Sequence, residues 1–232
     1  MRLPSLQPTG AGEYLRLRRV AGIINASTPV AARVVDVGGG SGMLGRRLRR
    51  DLQTDYTVVD SIPQGFGRRI TGDITNLSFP DRSVDVLTCN DVLEHVLDDA
   101  SMTDQLLQKL RPGGLLITHV PAIRRSYVPG LAERRARAEA ADEQPFPHVR
   151  DGYTRTGLRL LLQQAAPLGS AVQVLPSFTD GQSLVADVDW MLWAHRLTPL
   201  RPVTYGAARL ARGIGGGDRS AGWLGLVRVP QA

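Results

Sequence analysis

The sequence predicts an α/β protein with a mostly parallel central sheet and helices on both of its faces. Three observations carry this prediction. Short apolar segments alternate with helical patterns between residues 34 and 120, as in proteins with parallel sheets. The first of these segments runs directly into a glycine-rich turn at residues 38–42. An apolar segment at residues 223–229 supplies a further strand near the end of the chain.

Residues 1–30 precede this alternation and predict an N-terminal helical segment. Apolar side chains recur at helical spacing from Tyr14 to Ile24, so we expect one amphipathic helix that Gly22 breaks and that ends before Pro29. We favour packing of this helix against the edge of the following domain over a position above a ligand pocket. Residues 31–232 then form the main domain.

The glycine turn follows a predicted buried strand at residues 34–37, and a helix is expected to begin near Met43. Glycine adopts positive φ and lets the backbone approach a ligand, and a helix start offers unpaired N–H groups. The pattern Gly40-x-Gly42-x-x-Gly45, with Asp60 twenty residues after Gly40, fits a dinucleotide-binding site. However, Asp36 before the turn would repel a pyrophosphate and attract a cationic ligand.

The remaining elements follow after residue 120. Residues 124–151 are rich in Arg, Ala and Glu and contain three prolines, which indicates a helical cap inserted at about residues 122–152. Thr154 is a candidate N-cap for a helix whose Leu158 and Leu162 face the core. Residues 172–175 predict a strand, and residues 213–218 predict a flexible loop before the final strand.

Read as Asp36-x-Gly38-x-Gly40-x-Gly42, the turn resembles the first motif of the class I S-adenosylmethionine (SAM) methyltransferases. Four further segments resemble that family in the same order: residues 57–60, residues 72–74, residues 79–87 with 91–96, and residues 110–117. The resemblance spans about residues 34–120. It implies a Rossmann-like class I methyltransferase fold, in which a mostly parallel seven-stranded sheet ends in an antiparallel strand.

The same resemblance implies which residues bind SAM, with S-adenosyl-L-homocysteine as the product. Asp60 at a strand end suits the ribose hydroxyl groups, although a solvated acid is the alternative. Asp73 suits the adenine amino group, although it is also a candidate loop cap. The full set of expected cofactor-binding residues is Asp36, Gly38, Gly40, Asp60, Ser61, Asp73, Ile74 and Asn90.

Methylation of an oxygen also requires a base, and we expect His119, His148 and Tyr153 to be the catalytic candidates. His119 ends the fifth predicted strand, at the edge where open α/β sheets place their sites. His148 and Tyr153 lie in a segment that resembles the His-x-Arg-x-Tyr-Thr segment of small-molecule, glycan and lipid-linked enzymes of this family, with one residue inserted before Tyr153. A surface hydrogen-bond role is the alternative for His148.

Composition limits the possible partners and location. The net charge of +6 is a feature of nucleic-acid-binding proteins, but Lys109 is the only lysine and acidic residues are interspersed, so we do not expect nucleic-acid binding. The single cysteine, Cys89, excludes a disulfide within the chain and a paired-cysteine metal site, and we expect no metal. Without a signal peptide or a membrane-spanning segment, the expected location is the cytoplasm.

An apolar cluster at residues 190–200 contains Trp190 and Trp193. We expect it to form a pocket wall or lid, and membrane contact is possible but not favoured. The expected function is SAM-dependent methyl transfer to a small-molecule acceptor, at an oxygen of a specialised metabolite. The alternatives are a lipid-linked glycan or other membrane-associated acceptor, a non-methylating cyclase or rearrangement enzyme, and a binding protein with a vestigial pocket. The oligomeric state does not follow from the sequence.

Overall fold

The computed structural model describes residues 10–62, 65–123, 126–131, 133–134, 147–195, 197–217 and 220–231. Its centre is a seven-stranded sheet in the order β3-β2-β1-β4-β5-β7-β6. The strands are β1 (Arg33–Val37), β2 (Asp55–Asp60), β3 (Arg68–Thr71), β4 (Val84–Asn90), β5 (Leu110–Pro121), β6 (Ala171–Pro176) and β7 (Gly222–Arg228). Strand β7 is antiparallel to β5 and β6, and the other neighbours are parallel. The predicted fold is therefore confirmed.

Helices cover both faces of this sheet. They are α1 (Ala11–Ser27), α2 (Asp99–Lys109), α3 (Arg155–Ala165), α4 (Asp180–Ala194) and α5 (Arg201–Leu210). On one face, Met102 and Leu106 of α2 and Leu158 and Leu162 of α3 pack into the main core. On the other face α1 packs on the sheet. The carboxyl ends of the parallel strands lie at one edge, which is where the site is found.

The helix expected near Met43 does not form, and this prediction was wrong. Two short 3₁₀ turns, Gly45–Arg47 and Arg50–Leu52, lie between β1 and β2 instead. Glycine at positions 42 and 45 disfavours a helix, and a Cβ at Gly45 would collide with Tyr56. Leu17, Val20 and Ile24 of α1 pack against Leu44 and Tyr56, so α1 covers the face that the missing helix would have covered.

Two expectations for α1 were also wrong. The helix continues without a break through Gly22, where a side chain would meet open space. It lies on a face of the sheet rather than only at its edge, because six residues of its apolar side are buried: Ala11, Leu15, Leu17, Val20, Ala21 and Ile24. Its N-terminal half also reaches the site described below.

The later elements follow the sequence prediction closely. Thr154 caps α3 by accepting a hydrogen bond from the Gly157 N–H at 2.9 Å. Strands β6 and β7 occupy the predicted segments. Most of the expected cap at residues 122–152 lies outside the described residues, and so does residue 218 of the expected loop, whose start forms a 3₁₀ turn at Ala211–Gly213.

Candidate active site

Two cavities meet at the carboxyl edge of the sheet. The first has a volume of about 840 Å³ and is lined by residues that include Gly38, Asp60, Ser61, Asp73, Ile74 and Val96. The second has a volume of about 620 Å³ and is lined by residues that include Arg16, Glu94, His119, His148, Phe178 and Trp190. Asp91 and His95 line both cavities, so a ligand at the inner end of one cavity faces the other.

The glycine turn after β1 forms one wall of the first cavity. Gly38 has a φ of +70° and donates its N–H to the Val59 carbonyl at 2.7 Å. A Cβ at Gly38 would collide with Val92 across the cavity. Gly40 has a φ of +48°, and none of the described residues comes within 4 Å of its Cβ position, so the described part of the turn is open to a ligand on that side. These positive φ angles account for glycine at both positions.

Asp36 lies beneath this turn rather than in the wall of the cavity. Its carboxylate accepts hydrogen bonds from Tyr56 Oη at 2.5 Å and Thr88 Oγ1 at 2.6 Å. Burial raises the pKa of Asp36, although the two hydroxyl donors and Arg16 oppose this shift. A Cβ at Gly39 would collide with the Asp36 carboxylate, so Asp36 supports the turn from below.

The acids of the first cavity lie at the ends of β2 and β3. Asp60 accepts from the Gly40 N–H at 2.9 Å and from the Ile62 N–H at 3.0 Å, and it therefore joins β2 to the glycine turn. Asp73 is exposed and accepts from Thr75 N–H and Oγ1 at 2.8 and 2.7 Å. These hydrogen bonds lower the pKa of Asp73. Asp73 thus caps its own loop and also lines the cavity.

Asn90 ends β4 close to the junction of the cavities. Its side-chain oxygen Oδ1 is buried and has no hydrogen-bond partner among the described residues. A buried acceptor of this kind favours a ligand that donates a hydrogen bond, because an unpaired polar atom is costly. This is the position expected for the amino acid end of the cofactor.

His119, Asp91 and Arg16 form a charged group in the second cavity. His119 Nδ1 lies 2.5 Å from Asp91 Oδ1, and Arg16 forms an ion pair with the same carboxylate. Only 4% of His119 is exposed, and burial, with Arg16 and Arg19, lowers the pKa of His119 well below its usual value. The imidazole is therefore neutral, and its Nε2 has no partner among the described residues.

Glu94, His95 and His148 lie beside this group. Glu94 belongs to the 3₁₀ turn Leu93–His95 and is 1% exposed. Burial raises the pKa of Glu94 to about 7, although Arg16 and Arg150 oppose this shift. The rings of His95 and His148 meet edge to face with their centroids 4.5 Å apart. The sequence interpretation named His148 as a candidate but assigned no role to Glu94 or His95.

Tyr153 lies behind the Leu93–His95 turn. Its hydroxyl donates to Asp99 Oδ2 at 2.7 Å and accepts from Arg150 at 2.6 Å, and burial raises the pKa of Tyr153. The residues described as lining the two cavities do not include Tyr153. Of the three catalytic candidates, His119 and His148 therefore line the second cavity. The hydroxyl of Tyr153 instead supports the wall of this cavity through Asp99 and Arg150.

Arg16, Asp91 and Glu94 are the residues of this region that sequence reasoning did not assign a role. Asp91 follows β4 directly and has a φ of +53°, which is unusual for a residue other than glycine. Its position after a central parallel strand was a usable signal. Arg16 carried no such signal, because its partner lies 75 residues away.

The comparison with known families decides what kind of protein holds these cavities. Residues 12–165 match the sequence profile of a family described as a methyltransferase domain, which is more than half of the chain. The chain belongs to this methyltransferase family. Together with the strand order, this makes it a class I methyltransferase, a family whose cofactor is SAM.

Individual relatives agree with this assignment. The chain is 27% identical over 194 residues to an uncharacterised methyltransferase of Mycobacterium sp. (strain KMS), covering 75% of this chain and 73% of the relative. It is 32% identical over 99 residues to a ubiquinone biosynthesis O-methyltransferase of Xylella fastidiosa (strain M23), covering 37% of this chain and 40% of the relative. The fold is similar to that of a phosphoethanolamine N-methyltransferase of Haemonchus contortus solved with S-adenosylhomocysteine, with a TM-score of 0.60 and 11% sequence identity. The match covers 96% of this chain and 56% of that protein.

None of the helices in the described part of the chain is both long enough and apolar enough to cross a membrane. Trp190 and Trp193 of α4 line the second cavity, with their ring centroids 6.1 Å apart. They therefore lie at the cavity wall, as the wall-or-lid interpretation expected.

Proposed function

We propose that this methyltransferase transfers a methyl group from SAM to an oxygen of a small-molecule acceptor bound in the second cavity. The observation that carries the proposal is the junction of the two cavities at Asp91 and His95. Methyl transfer requires the nucleophile to be held in line with the activated carbon and shielded from water. Two cavities that share Asp91 and His95 in their walls can hold the cofactor and the acceptor next to each other at their junction.

The first cavity fits SAM. Its volume of about 840 Å³ is within the range of cofactor sites. The open side of Gly40, the Asp60 carboxylate at the end of β2, and the unpaired Asn90 oxygen offer complementary groups for the amino acid and ribose parts. Ser61, Asp73 and Ile74 lie at the adenine end, and Gly38 with Asp36 beneath it supports the middle.

The second cavity suits a proton-bearing acceptor. The cofactor supplies a methyl group on a positively charged sulfur, which needs no further activation. His119 is neutral, and Asp91 accepts from its Nδ1–H, so its Nε2 keeps the lone pair that accepts a proton. A Cβ at Gly222 would collide with Nε2, so only glycine fits beside this nitrogen. His148 also lines this cavity and offers a second polar contact.

The remaining walls favour an apolar or aromatic small molecule. Phe178 meets the His119 ring edge to face at 5.9 Å, and Trp190 and Trp193 extend the same wall. Flat aromatic side chains are typical of small-molecule sites that bind rings. The similarity to an O-methyltransferase of ubiquinone biosynthesis supports an aromatic hydroxyl acceptor, which we place in the class of phenols and hydroxyquinones.

The test uses SAM with a labelled methyl group, the purified protein, a panel of phenols and hydroxyquinones, and a fractionated extract of the source organism. We expect the label to enter a small molecule, and less of it to do so at limiting SAM in Asp60→Ala, which weakens cofactor binding. Label only in protein, nucleic acid or lipid would overturn the choice of acceptor class. An acceptor that is converted without gaining label would indicate cyclisation or rearrangement and would overturn methyl transfer itself.

A further inference from the structure

We propose that Glu94, His95 and His148 bind a divalent transition-metal ion of the zinc class at the wall of the acceptor cavity. One potential ligand atom from each residue lies within 4.8 Å of the other two. Ligands at 2.0–2.1 Å from a tetrahedral ion are roughly 3.4 Å apart, so modest side-chain rotations would complete the set. All three residues line the second cavity.

Glu94 provides an independent reason to expect a ligand. The residue is 1% exposed, and its Oε2 atom is buried without a hydrogen-bond partner among the described residues. Buried carboxylate oxygens are normally satisfied by donors or by cations. A metal ion beside Glu94 would supply the missing partner, and the cavity gives the ion access to the site.

The environment of His95 fits the same role. Its Nδ1 lies 3.3 Å from the carbonyl oxygen of Pro147. A carbonyl oxygen only accepts hydrogen bonds, so Nδ1 carries the proton and Nε2 carries the lone pair. Histidines that bind metals commonly donate their other N–H to a carbonyl or carboxylate in this way. The His148 ring meets His95 edge to face.

The two segments that carry these residues are fastened together. The Val149 N–H donates to the Glu94 carbonyl at 2.9 Å. Arg150 donates to the carbonyls of Val96 and Leu97, each at 2.9 Å. Neighbours on both sides of His148 therefore hold it against the Leu93–His95 turn. Such support around the ligands is what a preformed metal site requires.

The ligand chemistry selects the ion. Two imidazoles and one carboxylate suit Zn²⁺, Fe²⁺ or Co²⁺, whereas Mg²⁺ and Ca²⁺ prefer oxygen ligands alone. Three protein ligands leave a coordination position open, as in catalytic sites. The acceptor cavity lies on that side, so the fourth ligand is the hydroxyl oxygen of the acceptor. This identity of the fourth ligand rests on the proposed function, whereas metal binding itself does not.

The metal site would prepare the acceptor for methylation. A hydroxyl group bound to a divalent cation releases its proton at a lower pH than a free one. The O–H bond breaks, the electron pair stays on the oxygen, and the proton passes to the neutral His119 imidazole. The site would also select acceptors whose hydroxyl group reaches the junction of the cavities.

The test is a titration of the untagged, chelator-treated protein with cobalt(II) chloride, followed by visible absorption. We expect one Co²⁺ per chain. Loss of an outer-shell partner alone costs about 10–100-fold in affinity, so Glu94→Gln and His148→Ala should each weaken binding by at least that factor. His195→Ala is the matched control, because His195 is exposed at the end of α4 and should not affect binding.

Calorimetry with SAM verifies that each variant is folded, and His148, which is exposed, remains a test if Glu94→Gln is unstable. Absence of saturable Co²⁺ binding, or equal binding by all variants, would overturn the metal site. The labelled-methyl assay with and without added Zn²⁺ separates the two proposals. Full methyl transfer by metal-free protein overturns the metal role alone, whereas Co²⁺ binding without any methyl transfer overturns the proposed function alone.

Discussion

The two cavities of this methyltransferase are built in different ways. Most of the first cavity is formed by one stretch of the chain, residues 38–75. Its walls consist of glycine backbone and of carboxylates at the ends of strands. The second draws its walls from α1, the turn after β4, the end of β5, His148 and α4. In the first cavity Asp60 is half-buried and Asp73 is exposed. In the second, Glu94 and His119 are only 1% and 4% exposed.

This difference has a chemical consequence. A cavity made of glycine backbone and accessible carboxylates offers hydrogen-bonding groups to a polar cofactor. A cavity with buried ionisable groups shifts their pKa values, as at Glu94 and His119. Such shifts are typical of sites where protons move. The first cavity is therefore suited to binding and the second to chemistry.

The largest expected effect is on turnover, in the second cavity. His119→Asn keeps a donor near Asp91 but removes the lone pair of Nε2. Loss of a general base typically lowers the rate by about 10²–10⁴-fold, so we expect kcat to fall in that range while the SAM dissociation constant is unchanged. Steady-state kinetics and calorimetry measure the two quantities. His195→Ala should match the wild type, and full activity of His119→Asn would remove His119 as the base.

The next largest expected effect is on SAM affinity, which depends on the first cavity and not on the second. Asp60→Ala removes a carboxylate that also holds the Gly40 N–H. Losing a charged hydrogen-bond partner costs about 1.5–3 kcal/mol, so SAM affinity should fall by at least about tenfold. Calorimetry measures this change, and Asp55→Ala at the exposed start of β2 is the control. Unchanged affinity would show that the ribose site lies elsewhere.

The smallest expected effect is the pH dependence of stability from His119. Burial lowers its pKa in the folded protein, so below the unfolded value of about 6.5 the unfolded chain binds a proton that the folded chain does not. This contribution is present above pH 6.5 and is lost as the pH falls. It should shrink by about 1.4 kcal/mol per pH unit below 6.5.

Urea unfolding at pH 7.5, 6.5 and 5.5 measures this contribution. The stability difference between wild type and His119→Asn should decrease as the pH falls, whereas His195→Ala should follow the wild type at each pH. A difference that stays constant with pH would mean that folding does not change the pKa of His119.

The sequence predicted the first half of the fold through residues that are close together. The strand ending in Asp36, the glycines at 38 and 40 and the acid at 60 form a local pattern, because consecutive parallel strands end at the same edge of the sheet. The antiparallel β7 followed from the family resemblance. The prediction of a helix after the glycine turn was wrong, because α1 packs against Leu44 and Tyr56 instead. Such a tertiary contact cannot be read from the local sequence.

The second cavity was harder to predict from the sequence, because its residues come from distant parts of the chain. His119 was accessible to prediction because it ends a strand, but the Arg16–Asp91 pair and the Glu94–His148 approach join distant segments. No periodicity or spacing encodes such contacts. The hydroxyl of Tyr153 was expected among the reacting groups, yet it binds Asp99 and Arg150. Distinguishing a supporting tyrosine from a catalytic one requires the direction of the side chain.

The packing of α1 also bears on how the chain reaches this structure during synthesis. Leu17, Val20 and Ile24 leave the ribosome well before Leu115, Ile117 and Leu224, which belong to the same core. Contacts between such distant segments form late. Part of the apolar side of α1 therefore remains uncovered until β5 and β7 have been translated. Arg16 lies on the same helix, so its ion pair with Asp91, and with it the wall of the acceptor cavity, depends on completion of this core.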